Sequence, residues 1–91
     1  MKSIRVVISG QVQGVGFRAW LEDEANARSL AGWVRNRLDG TVEAVFAGPD
    51  GTVDAIIEAM RDGPPAAVVS SIDVYPHGAN GADGFRVMPT A

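Results

Sequence analysis

The chain has 91 residues, of which 11 are acidic and 8 basic, so its formal net charge is −3. Apolar residues make up 46% and charged residues 21% of the chain, as in ordinary globular proteins. This composition excludes a disordered tail, and the length fits one domain over residues 1–91. Because a net acidic chain binds an extended polyanion poorly, we expect no nucleic-acid partner.

Cysteine is absent, which excludes a disulfide scaffold and cysteine-ligated zinc. The single histidine, His77, lies in a late connector, where a Ser-His-Asp triad has no credible geometry. One histidine without any cysteine makes a poor set of metal ligands, so we expect no metal. We also expect no cofactor. Near the N-terminus only three apolar residues are consecutive (6–8), whereas a secretory segment needs about seven and a membrane span about twenty. We therefore expect a cytoplasmic protein that is monomeric and has no membrane partner.

The first third of the chain predicts a strand, a loop and a helix. Apolar residues alternate over residues 4–9, which is typical of a strand. Glycines punctuate residues 10–16, which predicts a loop. Apolar residues then follow helical spacing from Phe17 to Ala25, so a helix should follow the loop directly.

The middle of the chain predicts a hairpin and a second helix. Residues 32–36 and 41–47 have strand patterns, and the turn dipeptide Asp39-Gly40 between them predicts that they pair as a hairpin. Apolar residues spaced i, i+3, i+4 and i+7 over residues 53–60 predict a helix, for which Thr52 is the expected N-cap.

The last third predicts a return to strands. Residues 63–65, Gly-Pro-Pro, should end the second helix, and residues 68–74 alternate as a fourth strand. A Gly/Ala-rich connector over 77–84 precedes a short edge strand over 85–88. The order βαββαβ predicts a ferredoxin-like, split βαβ sandwich of the α+β class, with an antiparallel sheet and two helices on one face. Many unrelated functions use this fold, so the fold leaves the activity open.

The glycine loop is the most informative segment. It enters a helix N-terminus, where unpaired N–H groups attract anions, and its three glycines allow successive N–H groups to face one point. No residue from Val15 to Arg18 has the side chain of a usual helix cap, and a ligand oxygen could fill that role. Arg18 in the first turn opposes the helix dipole unless an anion binds there. It can equally be a flexible surface arginine. The Walker A pattern does not match, and a match to the Gly-x-Gly-x-x-Gly/Ala fingerprint is weak outside a doubly wound sheet.

Asn36 stands at the end of the second predicted strand, where it has two interpretations. An asparagine there commonly bonds its own backbone in a turn. Alternatively, its amide both donates and accepts hydrogen bonds and can orient a water molecule.

Two segments together resemble the acylphosphatase family. Residues 10–18 are similar to its first motif, Gly-x-Val-Gln-Gly-Val-x-Phe-Arg. Residues 32–48 are similar to its second, Gly-aromatic-Val-x-Asn-x-x-x-Gly-x-Val with a later glycine. The resemblance implies hydrolysis of acyl phosphates, which are carboxyl-phosphate mixed anhydrides, to carboxylate and inorganic phosphate. Gln11 departs from the family, which often has a basic residue there, and this departure could weaken phosphate attraction.

The resemblance also implies a role for each residue of the site. Arg18 would bind the substrate phosphate and Asn36 would position the attacking water, with no metal required. The remaining phosphate contacts would come from the backbone N–H groups of Gln13, Gly14, Val15, Gly16 and Phe17.

Two other functions stay open at this point. The domain could bind anions without catalysis, as a regulatory module. It could bind single-stranded RNA on its open sheet face, although the first strand has none of the aromatic residues that such a face uses. Six of the eight cations fall in two acid-free windows, 1–18 and 28–37, which coincide with the two motifs. We interpret this as a local positive field around a small phosphate site.

Overall fold

The computed structural model of the protein describes residues 1–78 and 84–91. Most of the predicted connector therefore lies outside the described residues. The elements in chain order are β1 (Lys2–Gln11), α1 (Phe17–Ala27), β2 (Ala31–Asn36), β3 (Val42–Gly48), α2 (Asp50–Asp62), β4 (Val68–Pro76) and β5 (Phe85–Val87).

The strands form one sheet in the order β4-β1-β3-β2-β5. The first four strands pair antiparallel, which gives the ferredoxin-like arrangement that the element order predicts. The short strand β5 pairs parallel with β2, so the sheet is mixed where an antiparallel one was predicted. A three-residue strand has too little pattern to indicate its direction, which depends on how the chain returns to the β2 edge.

The core lies between one face of the sheet and the two helices. Alternate residues of the central strands point into it, because side chains alternate between faces with a period of two. These strand residues are Ile4, Val6, Ile8, Val34, Val42, Ala44 and Phe46. The helices contribute Phe17, Leu21, Ala25, Val53, Ile56 and Met60.

Strand β5 is held in place by two contacts. The ring of Phe85 stacks on the ring of Phe46, with centroids 5.3 Å apart and an angle of 12° between the planes. From α1, Asn26 accepts a hydrogen bond from the Phe85 N–H (3.2 Å) and donates one to the Phe85 carbonyl (3.3 Å). These contacts fix the position of Val87 at the end of the strand.

The opposite face of the sheet carries a charged cluster centred on Glu43. This side chain is buried, and it accepts hydrogen bonds from Arg5 (3.0 Å) and Arg35 (2.8 Å) on the neighbouring strands. The same two guanidinium groups stack on aromatic rings, Arg5 on Tyr75 and Arg35 on Trp33. Burial alone would raise the pKa of Glu43, but the hydrogen bonds and charges of Arg35 and Arg5 outweigh it and hold that pKa below its ordinary value.

Helix α2 begins two residues before the predicted cap. Pro49 occupies the N-cap position, and its carbonyl accepts the first hydrogen bonds, from the N–H groups of Thr52 and Val53. The hydroxyl of Thr52 makes no capping bond, so the predicted N-cap was wrong. The carboxylate of Asp50 lies in the first turn instead, where its negative charge interacts favourably with the helix dipole. At the other end Gly63 terminates the helix, as predicted. Within the described residues, neither helix has the length and apolarity needed to cross a membrane.

Candidate active site

The loop between β1 and α1 owes its path to two glycines in the left-handed region. Gly14 has φ 73° and Gly16 has φ 78°, a region that other residues enter at a cost. A Cβ atom built at either position would meet nothing within 4 Å. The requirement for glycine therefore comes from the backbone dihedrals and not from crowding by the protein.

The N–H groups of this loop are available to a ligand. Within residues 1–78 and 84–91, none of the backbone N–H groups of residues 13–17 donates a hydrogen bond. The carbonyl of Gly16 accepts the first bond of α1, from Trp20 (3.0 Å), and the helix has no side-chain cap. Five successive donors thus lie at the positive end of a helix, which is the arrangement that binds anions.

Arg18 adds a full positive charge beside these donors. It is half-buried in the first turn of α1, and it forms no ion pair with any residue that the structure describes. The other five cations of the two acid-free windows all have acidic partners: Lys2 with Asp54, Arg5 and Arg35 with Glu43, Arg28 with Glu24, and Arg37 with Asp39.

This pairing contradicts the prediction that the cations of the two windows together make a local positive field around the site. Arg35 directly precedes Asn36, but alternate residues of a strand face opposite sides, so its charge lies with Glu43 on the outer face. The positive charge at the site is one arginine together with a helix N-terminus.

Asn36 ends β2 and turns its amide toward the same region. Its Oδ1 atom is buried and finds no hydrogen-bond donor among the described residues. The turn interpretation does not hold, because the hairpin is organised by Asp39, whose carboxylate accepts bonds from the Thr41 N–H (2.9 Å) and hydroxyl (2.6 Å). The same hydroxyl and N–H bonds of Thr41 keep the pKa of Asp39 below its ordinary value. A buried acceptor without a partner costs free energy unless a bound water or substrate supplies the donor.

These groups meet at one surface cleft of about 290 Å³. Of the predicted site residues, the cleft is lined by Gly14, Gly16, Phe17, Arg18 and Asn36. Arg18 and Asn36, which the sequence alone also allows as a surface arginine and a turn residue, both line this cleft. Residues from the loop, from α1 and from the end of β2 converge although they are separated along the chain.

The other two predicted loop residues have their side chains elsewhere. Val15 is half-buried and packs against the hydrophobic core. Gln13 directs its side-chain amide to the β2–β3 hairpin, where it donates to the carbonyls of Arg37 (2.8 Å) and Thr41 (2.9 Å). Both residues remain candidates for phosphate binding through the backbone alone.

The cleft is also lined by four residues that were not predicted from the sequence. They are Val12, Ala19, Glu22 and Val87. Glu22 could have been found, because it lies four residues after Arg18 and so on the same face of α1. Val87 could not, because its place depends on the parallel pairing of β5 with β2. In the part of the chain that the structure describes, no three His, Cys, Asp or Glu side chains come together in a way that could hold a metal ion.

Fold and cleft together define a ferredoxin-like α+β domain with a small cleft at the N-terminus of α1, lined by a glycine loop, one arginine and one asparagine. Comparison with known proteins identifies the family. The acylphosphatase family model matches residues 4–87. An acylphosphatase of Rhodospirillum rubrum is 50% identical over 90 residues, which cover 99% of both chains. The chain belongs to the acylphosphatase family, and it is an enzyme of the class of hydrolases that act on acid anhydrides.

Solved structures agree with this assignment. The crystal structure of acylphosphatase from Bacillus subtilis superposes with a TM-score of 0.93 at 39% identity and covers 97% of this chain and 99% of its own. An acylphosphatase from Coxiella burnetii gives a TM-score of 0.91 at 36% identity, with 96% and 92% of the two chains covered. The family resemblance and the ferredoxin-like fold that the sequence predicts are both confirmed.

Proposed function

We propose that the protein hydrolyses acyl phosphates to a carboxylate and inorganic phosphate at the cleft formed by the glycine loop, Arg18 and Asn36. The observation that carries the proposal is the meeting of three groups without partners in the described chain. They are the N–H groups of residues 13–17, the guanidinium of Arg18 and the Oδ1 atom of Asn36. One bound phosphoryl group with a water beside it would satisfy all three.

The loop and Arg18 would hold the phosphoryl group. Its equatorial oxygens carry the negative charge that backbone N–H groups and a guanidinium bind best, and the guanidinium can contact two oxygens at once. The anion would also remove the cost of placing a cation in the first turn of α1. Because the loop donors stand in place before the substrate arrives, they stabilise charge without reorganising during the reaction.

Asn36 would orient the attacking water. A water that donates a hydrogen bond to Oδ1 directs its own lone pair away from the amide, and a phosphoryl group bound by the loop would lie on that side. The water oxygen forms a bond to phosphorus while the bond from phosphorus to the carboxylate oxygen breaks. The carboxylate leaves with the electron pair, and a phosphate oxygen takes the proton of the water.

The leaving group explains why so few residues suffice. A carboxylate leaves without prior protonation, so the site needs no strong general acid. The work of the site is to position and to stabilise charge, as in other phosphoryl transfers. This scheme involves no metal and no cofactor, and the substrate and phosphate are the only partners that it requires.

The proposal is tested with benzoyl phosphate as a synthetic acyl phosphate and p-nitrophenyl phosphate as a monoester control. We expect turnover of the first substrate and at least about a hundredfold lower kcat/KM for the second, since its leaving group is poorer. Arg18→Ala should abolish turnover and weaken phosphate binding. Arg28→Ala removes an equal charge from the other end of the same helix and should leave both properties unchanged.

Three outcomes would contradict the proposal. They are comparable cleavage of the monoester, full activity of Arg18→Ala, and phosphate binding without any hydrolysis, which would indicate a non-catalytic anion-binding module. The monomeric state and the cytoplasmic location stay predictions from the sequence.

A further inference from the structure

The side chain of Gln13 connects the two halves of the cleft. Its Nε2 atom donates one hydrogen bond to the carbonyl of Arg37 (2.8 Å) and another to the carbonyl of Thr41 (2.9 Å). An amide nitrogen has two hydrogens, so both of its donors are used. Arg37 is the residue directly after Asn36, and Thr41 closes the same hairpin by accepting the Arg37 N–H (2.9 Å).

No other hydrogen bond joins the loop to the hairpin in the part of the chain that the structure describes. Between residues 12–16 and residues 36–41, the two bonds of Gln13 are the whole connection. The loop is anchored to the core by Val12, Val15 and Phe17, whereas Gly14 and Gly16 face open space. Packing thus holds the loop on the core, and the hydrogen bonds of Gln13 hold it against the hairpin beside Asn36.

That distance matters for the reaction more than for binding. The proposed phosphate donors all belong to one continuous segment, 13–18, so a bound phosphate can draw them together without the hairpin. The water is different, since it sits between a phosphoryl group held by the loop and an amide held by the hairpin. A misplacement of about 1 Å between such groups can cost about a hundredfold in rate.

We propose that Gln13 is a positioning residue, whose side chain holds the glycine loop in register with Asn36 and so supports turnover rather than phosphate affinity. This inference rests on the proposed function, because it presupposes a water oriented by Asn36. It assigns the side chain of Gln13 a role separate from that of its backbone N–H. The carboxamide does not touch the substrate, since it is directed at the two carbonyls and does not line the cleft.

The test compares kcat with the phosphate dissociation constant in Gln13→Met, which keeps the size of the side chain and removes both donors. We expect kcat for benzoyl phosphate to fall about tenfold or more, while the dissociation constant of inorganic phosphate changes less than about threefold. Gln13→Glu keeps the shape and sets a carboxylate against two carbonyl oxygens, so its kcat should fall at least as far. Glu58→Gln is the control: this side chain is exposed on α2, pairs with Arg61 and does not line the cleft, so its kcat should stay within about twofold of the wild-type value.

The outcomes separate this inference from the proposed function. If the wild-type chain does not hydrolyse benzoyl phosphate, the proposed function fails before any variant is compared. If the wild type is active and Gln13→Met keeps its kcat, or loses phosphate affinity as much as kcat, the positioning role is wrong. Should Gln13→Met unfold at the assay temperature, Gln13→Asn, which keeps the amide but withdraws it by one methylene, is judged by the same criteria.

Discussion

Glu43 provides a sharp test of what holds the sheet together. In Glu43→Gln, one buried carboxylate that accepts bonds from Arg5 (3.0 Å) and Arg35 (2.8 Å) becomes a neutral amide. Each lost charge-assisted hydrogen bond is worth about 1–1.5 kcal/mol here, because both guanidinium groups keep contact with water. The free energy of unfolding should therefore fall by about 2–3 kcal/mol, which lowers Tm by roughly 10–15 °C in a domain of this size.

The effect of Glu43 should also depend on pH with a definite sign. Its pKa is lowered in the folded protein relative to the ordinary value of 4.5. A carboxylate with a lowered folded pKa stabilises the fold above its unfolded pKa and loses that contribution as pH falls through its folded pKa. The stability gap between wild type and Glu43→Gln should thus be full at pH 7 and close progressively below about pH 4.5.

Urea unfolding at pH 7 and at steps down to pH 3 measures both predictions. Glu58→Gln is the control, because Glu58 pairs with Arg61 at 3.2 Å on the exposed face of α2, and the loss of such a pair costs about 0.5 kcal/mol or less. A gap below about 0.5 kcal/mol for Glu43→Gln, or one that does not change between pH 7 and pH 3, would refute the reasoning.

The remaining predictions concern the loop, the cleft rim and the core. Gly16→Ala should lower the free energy of unfolding by about 1 kcal/mol, because alanine is strained at the positive φ of this position. Gly51→Ala lies in α2 with open space around it and should leave the free energy of unfolding unchanged or raise it. Urea unfolding compares the two variants. Glu22→Gln removes a negative charge from the cleft rim and should lower KM about two- to fourfold at low ionic strength, an effect that salt suppresses; an unchanged or higher KM would contradict it. Phe46→Ala should cost about 3–5 kcal/mol of stability, measured by thermal unfolding, because its ring is fully buried against Phe85.

Much of the fold could be predicted because its elements have strong local patterns. The alternation over residues 4–9, the helical spacing from Phe17 and the Asp39-Gly40 turn each depend on neighbours along the chain. The start of α2 could not be read in this way. Pro49, with its fixed φ, and the acidic Asp50 after it start a helix as well as Thr52 would, and the local pattern does not distinguish the two starting points.

The candidate site was predicted in part for the same reason. Arg18 and Asn36 belong to two long motifs, so both could be found without knowing that they share a cleft. The hydrogen bonds of Gln13 and the place of Val87 depend on contacts between distant segments, which no local pattern encodes. The local positive field predicted from the two windows was wrong, because a window along the sequence shows neither the acidic partner of each cation nor, as for Arg35, the face of the strand on which it lies.

The most direct test of the central claim is to measure Asn36→Ala in two assays at once, turnover of benzoyl phosphate and binding of inorganic phosphate by calorimetry. The account predicts that kcat falls about a hundredfold or more while the phosphate dissociation constant stays within about threefold of the wild-type value, because the loop and Arg18 bind the phosphate without the amide. A variant that keeps more than about a tenth of the wild-type kcat would contradict the role of Asn36 in orienting the water. A loss of phosphate affinity as large as the loss of turnover would contradict the division of the cleft into a binding part and a water-orienting part.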